Sequence, residues 1–317
     1  MTQKRKVLRK IRGFLWTGLQ AIGAGYQKIK FGIRHLFHIR STRSASGNLA
    51  NILLLAFLSA LMLVPMLYVI NNAFKPLDEL FIFPPKIFVQ NPTLDNIYDL
   101  AAIMSNSWVP VSRYLFNTFL ITILGTSLHV LFASMAAYVL EKHPFPGAKA
   151  FFALVITTLM FSAAVTSIPN FIIMSQLGLV NTQAAVIIPA IGAPLGLFLM
   201  KQFMSTVPDS VIEAAKIDGA SEIKIFFGII MPTVKPAWLT LIIFSAQTLW
   251  NTTGDIYIRS ESLKPLSYAM QQIMTGGVAR AGAGSAVGLL LMIVPVTVFI
   301  ASQSSIVDTM ATSGIKE

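Results

Sequence analysis

The chain has 317 residues, of which 55% are hydrophobic and only 12% are charged, and it contains no cysteine. A soluble domain carries about 25% charged residues, so this composition indicates an integral membrane protein. The absence of cysteine excludes disulfide bonds, thiolate catalysis and cysteine-based metal sites.

The net charge of +11 belongs to an N-terminal arm, residues 1–48, which holds many Lys and Arg residues and no acid. Apolar residues alternate with these bases, and an apolar segment follows the arm. We therefore predict an amphipathic helix that binds anionic lipid, in preference to a nucleic-acid-binding arm. The positive charge also places the arm in the cytoplasm. The predicted domains are this arm and a membrane domain at 49–317.

Six apolar segments in the membrane domain are predicted to cross the bilayer, whose hydrocarbon core needs about 20 helical residues. They are residues 49–73, 114–140, 150–174, 183–203, 237–250 and 285–303. Six spans place both termini in the cytoplasm. A polar connection at 74–112 and a polar, glycine-containing loop at 251–284 then lie on the outer side.

A polar interruption at 206–232 separates the fourth and fifth segments and predicts two short helices joined by a glycine turn. Thr206 is the predicted N-cap of the first helix, with Asp209 three residues later. Gly219 follows Asp218 and ends this helix, because glycine readily adopts the left-handed conformation. Ser221 is the predicted cap of the second helix.

Each of these two helices is predicted to have an apolar face. The first face comprises Val207, Val211 and Ala214, and the second comprises Ile223, Phe226, Phe227 and Ile230. By itself this pattern favours an ordinary cytoplasmic loop that lies on lipid headgroups, with a surface that docks on a partner as the alternative.

His129 is the one ionisable residue clearly inside a predicted span, and such residues are candidates for function. A neutral histidine hydrogen-bonded between helices is the interpretation that we favour. Further candidates for a substrate pathway share an amide or aromatic side chain near the outer end of a span: Asn117, Asn170, Gln247, Trp250 and Asn251. These groups suit sugar hydroxyls and ring faces, and they suit helix packing equally well.

The sequence lacks the motifs of several catalytic and cofactor-binding sites. No phosphate-binding Gly-x-x-x-x-Gly-Lys-Ser/Thr motif occurs, so we predict that the chain does not bind ATP through a P-loop. The four histidines are scattered and form no His-x-x-x-His pair, which argues against a metal site. No Ser/His/Asp set is locally recognisable. The chain is therefore predicted to contain no catalytic residue and to be no enzyme.

The 206–232 interruption resembles the EAA loop of bacterial ABC importer permeases. The matching residues are Glu213, Ala214, Ala215, Asp218, Gly219, Ala220, Phe226, Ile229 and Pro232. Residues 91–98, the tail at 310–316 and the six-span layout also resemble the maltose-type, oligosaccharide-uptake branch of these permeases. The resemblance implies an all-α integral membrane fold of the type I importer class, with six transmembrane helices and a cytoplasmic coupling helix in a bacterial inner membrane.

The resemblance further implies a transport assembly. Its other members would be a second homologous permease subunit, two ATPase subunits that bind ATP and Mg, and an extracellular solute-binding protein. Glu213 would anchor the loop to a basic group of the ATPase, Gly219 would set the turn, and Asp218 would hold the turn by local hydrogen bonds. The loop at 251–284 would reach the binding protein.

Three other functions remain open at this point. A permease of the same family would import a solute other than a sugar. A secondary transporter would share the hydropathy, although it needs coupling charges within its spans, where only His129 is found. A membrane scaffold would use the basic arm but has no need of the 206–232 motif.

Overall fold

The computed structural model describes residues 45–143 and 145–313. Most of the basic arm predicted for residues 1–48 therefore lies outside the described residues. Within them every regular element is helical, so the predicted all-α class is confirmed. The chain divides into two compact units, Met1–Val64 and Pro65–Glu317, whose boundary lies inside the first helix.

The first unit contains, among its described residues, the start of helix α1 (Ala45–Ala73). The second unit contains α2 (Leu77–Leu80), α3 (Asp95–Ser105), α4 (Val111–Lys142), α5 (Ala148–Thr158), α6 (Ala163–Gln176), α7 (Ala184–Ile191), α8 (Pro194–Met204), α9 (Asp209–Ile217), α10 (Glu222–Thr233), α11 (Lys235–Trp250), α12 (Leu266–Met274) and α13 (Ala281–Ser313).

Four stretches of the described chain are long and apolar enough to cross a membrane: Leu49–Ala73, Val111–Lys142, Ala184–Met204 and Ala281–Gln303. Helices α10 and α11 form a fifth if the pair, which bends by 80°, is counted as one span. These spans correspond to five of the six predicted segments.

The predicted third span differs from the structure, because it consists of two shorter helices, α5 and α6. Between them Ser162 is extended, with φ −70° and ψ 152°. In the last turn of α5, the hydroxyls of Thr157 and Thr158 donate to the carbonyls of Ala153 and Val155. Such bonds compete with the helical ladder and bend helices. The predicted segment misses the break because its residues remain apolar throughout.

Helix α4 is the element around which the second unit packs, and it contacts α7, α8 and α11. Three groups of buried apolar residues lie along it. The group at its start includes Leu266 and Met270, the middle group includes Ile121 and Ile258, and the group at its end includes Met200, Ile225 and Leu241. The end of α4 thereby shares its core with α8, α10 and α11.

The polar connection at 74–112 is folded rather than extended, and a buried amide organises it. Asn96 is 1% exposed. Its Nδ2 lies 2.7 Å from the carbonyl oxygen of Lys75 and 3.2 Å from that of Ala73. Glu79 is also buried and accepts a hydrogen bond from the Gln90 N–H at 2.8 Å. These bonds hold α2 and α3 against the end of α1.

Candidate functional site

The 206–232 loop contains the predicted pair of short helices, but its first helix begins later than expected. The predicted Thr206 N-cap is wrong, because the Thr206 hydroxyl donates to the carbonyl of Phe203 and α9 begins at Asp209. The reason is Pro208, which disfavours helical backbone in Val207 before it. Pro208 itself is extended, with ψ 137°.

The turn between the two helices matches the prediction. Gly219 has φ +76°, in the left-handed region where glycine is favoured. The backbone N–H groups of Gly219 and Ala220 donate to the carbonyls of Lys216 and Ala215. Ser221 accepts the N–H of Lys224 at 3.4 Å and caps α10 as predicted. Asp218, by contrast, makes no side-chain hydrogen bond to any described residue, since backbone bonds alone close the turn.

The predicted apolar face of α9 is wrong in register. Val207 is buried, but Val211 is 42% exposed and Ala214 is also exposed. The residues that α9 buries are Ile212 and Ala215, which lie three positions apart. The shift follows from the later helix start, because Val207 precedes the helix and does not set its register.

In α10 the buried face also departs from the predicted spacing. Ile225, Phe226 and Ile230 are buried, whereas Ile223 is 73% and Phe227 54% exposed. The segment Phe226–Ile230 is π-helical, with a wider turn than an α-helix. This wider turn brings Ile225 and Ile230, five positions apart, onto one face. The α-helical repeat of about 3.6 residues per turn does not predict that pairing.

The opposite face of α9 has no partner among the described residues. Glu213, Ala214, Asp218 and Gly219 are exposed, and Glu213 makes no hydrogen bond or ion pair with any described residue. Ile217 is 87% exposed beside them. Sequence reasoning missed Ile217, although its position off the Ile212–Ala215 stripe would have indicated exposure. The residues of the resembling motif thus surround an exposed isoleucine and an unpaired carboxylate.

The other side of the loop is attached to the end of α4. The Tyr138 hydroxyl donates to Glu222 Oε2 at 2.8 Å, and Lys216 Nζ lies 2.8 Å from Glu222 Oε1. Lys142 Nζ donates to the Val207 carbonyl at 2.6 Å and to Asp209 Oδ1 at 2.7 Å. We call these contacts of Tyr138 and Lys142 the α4 clamp.

Phe226 and Pro232, two further residues of the motif, differ in their surroundings. The Phe226 ring is buried, and its centroid lies 5.4 Å from that of Tyr138. Pro232 is exposed near the end of α10, two residues before Val234, where the chain bends by 80° into α11. Phe226 therefore packs beneath the α4 clamp, whereas Pro232 lies at the boundary between loop and span.

His129 lies between three helical segments. Its Nδ1 is 2.6 Å from Ser245 Oγ on α11, and its Nε2 is 3.2 Å from the carbonyl oxygen of Ala193, in the break between α7 and α8. The ring is 4% exposed. Gly196 makes this position available, because a methyl group there would overlap the imidazole. Both ring nitrogens are thus satisfied between helices.

Asn117 and Trp250 are also engaged in packing. Asn117 is fully buried, with Nδ2 2.9 Å from the carbonyl oxygens of both Ser262 and Lys264, and it accepts Gln183 Nε2 at 2.6 Å. Trp250 is 2% exposed and donates from Nε1 to the Leu291 carbonyl at 3.2 Å. Their polar atoms hold the 251–264 loop and α13 in place.

The remaining pathway candidates occupy two separate places. Gln247 and Asn251 are exposed at the end of α11, joined by a bond from Asn251 Nδ2 to the Gln247 carbonyl at 2.9 Å. Asn170 on α6 lines a cavity of about 770 Å³, bounded by α4, α5 and the α7–α8 break. This cavity is largely apolar, and none of the other five candidates lines it.

Burial shapes the electrostatics of the 251–264 loop. Lys264 is 5% exposed, and its Nζ lies 3.7 Å from the centroid of the Tyr268 ring. Burial lowers the pKa of Lys264, and the charges of Asp255 and Glu261 oppose that shift.

As for metals, the part of the chain that the structure describes contains no cluster of three or more His, Asp or Glu residues able to hold an ion.

Comparison with known proteins establishes the family. Residues 100–310 match the family described as binding-protein-dependent transport system inner membrane component. The chain belongs to this family. Its members are permease subunits, which are transport components rather than enzymes, so the prediction of a transport subunit and the resemblance to importer permeases are confirmed.

Individual members of the family are similar over most of the chain. The chain is 30% identical over 230 residues to the polygalacturonan/rhamnogalacturonan transport system permease protein YtcP of Bacillus subtilis, which covers 70% of this chain and 78% of YtcP. It is 32% identical over 228 residues to the arabinooligosaccharides transport system permease protein AraQ of Halalkalibacterium halodurans, covering 69% of this chain and 79% of AraQ.

A chain of known crystal structure shares the fold. It comes from a bacterial ABC transporter involved in the import of the acidic polysaccharide alginate, with a TM-score of 0.67 and 20% sequence identity. The match covers 84% of this chain and 99% of that one. The family, the helical fold and the apolar spans together make this chain an inner-membrane permease.

Proposed function

We propose that this permease is one of two permease subunits in an ATP-driven importer, and that it forms half of the path for an oligosaccharide. The observation that carries the proposal is the 206–232 loop, which is anchored to α4 on one side and unpartnered on the other. The unpartnered side presents the Glu213 carboxylate beside an 87% exposed Ile217, and anionic headgroups would repel that carboxylate, whereas a basic group on a partner would attract it.

The exposed face of α9 is the proposed docking surface for an ATPase subunit. Glu213, Ala214 and Ile217 form its centre, while Asp218, Gly219 and Ala220 make the adjacent turn. An exposed isoleucine next to one charge suits a partner groove that pairs apolar and basic groups. ATP and Mg bind on the two ATPase subunits, and a solute-binding protein delivers the solute from outside.

The α4 clamp is the proposed route by which the loop moves the membrane domain. Ligands shift such a system between states only through contacts that differ in the two states. Tyr138 and Lys142 join the loop to α4, a helix of 32 residues that in turn packs on α7, α8 and α11. A displacement of the loop would therefore act directly on α4, in addition to α8 and α11, with which the loop is continuous in the chain.

The proposed topology has six spans and both termini in the cytoplasm. Helices α5 and α6 together make the third span, and α10 with α11 contains the fifth. The lysine and arginine bias of the arm and of the 141–149 connection supports this orientation. The loop then lies on the cytoplasmic side, where an ATPase has access to ATP, and the arm at 1–48 binds anionic lipid there.

Oligosaccharides are the proposed substrate class, because AraQ is named for arabinooligosaccharides and YtcP for polygalacturonan and rhamnogalacturonan, which are polymers of sugars. His129 and Asn170 are the pathway candidates that we retain, since they lie at the α7–α8 break and at the cavity beside it. Interrupted helices often line transporter substrate sites. Asn117 and Trp250 are proposed to shape the outer end of the path, with Gln247 and Asn251 at its exposed rim.

Co-purification tests the docking surface. A tagged chain expressed with its ATPase subunit should retain that subunit, and Glu213→Ala should lower the retained amount at least several-fold without lowering thermal stability, because Glu213 has no partner among the described residues. Asp99→Ala is the matched control, since Asp99 is an exposed acid on α3 that also has none. Equal retention by both variants and the native chain would overturn the docking assignment.

A further inference from the structure

A polar cleft lies at the opposite end of α4 from the loop, beneath an exposed tryptophan. Its volume is about 560 Å³, and its lining includes Asn106, Trp108, Tyr114, Glu261, Gln272 and Arg280. A volume of this size with a few convergent polar groups is typical of small-ligand sites. Neither the 206–232 loop nor any of the pathway candidates contributes to it.

The turn that presents Trp108 is held in place while the ring itself is free. The Ser107 hydroxyl lies 2.8 Å from the Met104 carbonyl oxygen and 2.6 Å from that of Val109. Met104 and Val109 are buried, whereas Trp108 is 97% exposed. An anchored backbone that carries a fully exposed indole provides a flat apolar surface at little entropic cost.

The polar groups of the cleft are oriented by neighbours and keep free binding capacity. The Tyr114 hydroxyl donates to Glu261 Oε1 at 2.6 Å, and Glu261 Oε2 has no hydrogen-bond partner among the described residues. Gln272 donates from Nε2 to the Tyr268 hydroxyl at 2.6 Å, which leaves its Oε1 available. These acceptors suit hydroxyl groups of a ligand.

Two arginines at Trp108 lack an acidic partner. Arg280 lines the cleft and makes no hydrogen bond or ion pair with any described residue. Arg113 lines a second cavity of about 610 Å³ that shares Trp108, and only its Nε is engaged, 3.3 Å from the Ser262 carbonyl oxygen. A guanidinium with free N–H groups binds a carboxylate through two parallel bonds.

We propose that the cleft around Trp108 is an entry subsite for a carboxylate-bearing sugar unit, an assignment that rests on the proposed oligosaccharide import. Trp108 stacks on the sugar ring, Arg280 binds the carboxylate with Arg113 nearby, and Glu261 and Gln272 accept sugar hydroxyls. The concave shape and the convergent acceptors favour a sugar over a flat protein partner. The unpaired guanidinium groups favour an acidic unit over a neutral one.

Direct binding to the assembled permease–ATPase complex in nanodiscs, without any binding protein, tests the subsite. The probes are trigalacturonate and, as the neutral counterpart, maltotriose, titrated by ligand-observed NMR. Trigalacturonate should bind measurably tighter than maltotriose. Arg280→Gln should weaken the binding of trigalacturonate by about tenfold or more, because a charge-assisted pair is lost. Trp108→Ala should weaken the same binding to a similar degree.

Two matched variants control for general effects of charge and aromatic loss. Arg259→Gln removes an exposed arginine of the same outer loop, and Tyr98→Ala removes an exposed aromatic on α3, and neither residue lines the cleft. Both should bind trigalacturonate as the native chain does. All these side chains are exposed, so thermal unfolding should be unchanged throughout.

Four results would overturn the proposal. Equal binding of the two trisaccharides, or no binding of trigalacturonate, would remove the acidic-sugar assignment. Unchanged affinity in Arg280→Gln would place the ligand elsewhere, and loss of binding-protein capture in Arg280→Gln without any sugar binding would make the cleft a protein-docking surface. A complex that retains its ATPase subunit and still fails these tests would refute the subsite and leave the importer function intact.

Discussion

The Tyr138 hydroxyl lies 2.8 Å from Glu222 Oε2, and this contact joins the last turns of α4 to the first residue of α10. The same carboxylate binds Lys216 on α9, so one acidic side chain connects both helices of the loop to α4. Four positions further along α4, Lys142 holds the chain just before α9. The loop is therefore fastened to α4 on both sides of its glycine turn.

Removal of the Tyr138 hydroxyl should loosen this coupling without unfolding the protein. In Tyr138→Phe the ring still packs on Phe226, and the lost bond to a half-exposed carboxylate costs about 1 kcal/mol. The chain lacks cysteine, so spin labels can be placed at Ser112 and Ser210, at the start of α4 and on α9. Their distance should stay narrow and unaffected by ATP in the native complex, and should broaden in the variant.

Tyr98→Phe is the control for this experiment, because Tyr98 is an exposed tyrosine on α3 without a hydrogen-bond partner among the described residues. The control should reproduce the native distance distribution. If Tyr138→Phe also reproduced it, with and without ATP, the hydroxyl would have no part in coupling.

Lys142 should contribute more to the free energy of unfolding than an ion pair with an exposed carboxylate, that of Asp209, normally does. Its side chain is only 5% exposed, and it satisfies both the Val207 carbonyl and Asp209. Lys142→Met keeps the aliphatic stem but leaves that carbonyl unpaired, which should destabilise the protein by about 1–3 kcal/mol. Thermal unfolding in detergent measures the loss.

Lys149→Met serves as the matched variant, since Lys149 is an exposed lysine at the start of α5 with no ion pair among the described residues. It should unfold at the native temperature. An equal, small effect of both substitutions would mean that water replaces Lys142 at the carbonyl and that the clamp is held by Tyr138 alone.

The α7–α8 break allows a comparison between two neighbouring glycines. A methyl group at Gly196 would overlap the His129 imidazole, whereas one at Gly192 would meet only the Pro189 carbonyl oxygen, at 3.8 Å. Gly196→Ala should displace the ring from Ser245 and cost about 1–3 kcal/mol, as overpacking does. Gly192→Ala should be nearly neutral.

Thermal unfolding of the two variants, side by side, checks this prediction. Similar unfolding temperatures for both would show that His129 moves aside without loss, and hence that its bonds to Ser245 and Ala193 do not organise the break. If the additional change His129→Ala restored the unfolding temperature that Gly196→Ala had lowered, the imidazole would be identified as the source of the strain.

The sequence alone determined the features of this protein that depend on local chemistry. Composition indicated a membrane protein, and apolar length located five of the spans, because transfer into a bilayer depends on each segment separately. Gly219 and Ser221 took their predicted roles, because the left-handed turn and the N-cap involve only neighbouring residues. The motif at Glu213–Ala220 identified the family, since its residue order is carried by the chain itself.

Only the tertiary structure decided which side chains are free to act. Pro208 delayed α9 and the π-helical turn shifted α10, so Ile212 and Ile225 are buried where the periodicity placed Val211 and Ile223. Asn117 and Trp250 pair with carbonyls about 150 and about 40 residues away. Such pairs depend on how distant segments pack. The same packing leaves Trp108, Arg280 and Ile217 without partners among the described residues, and those unpaired groups are where this permease is expected to meet its ligands and its neighbours.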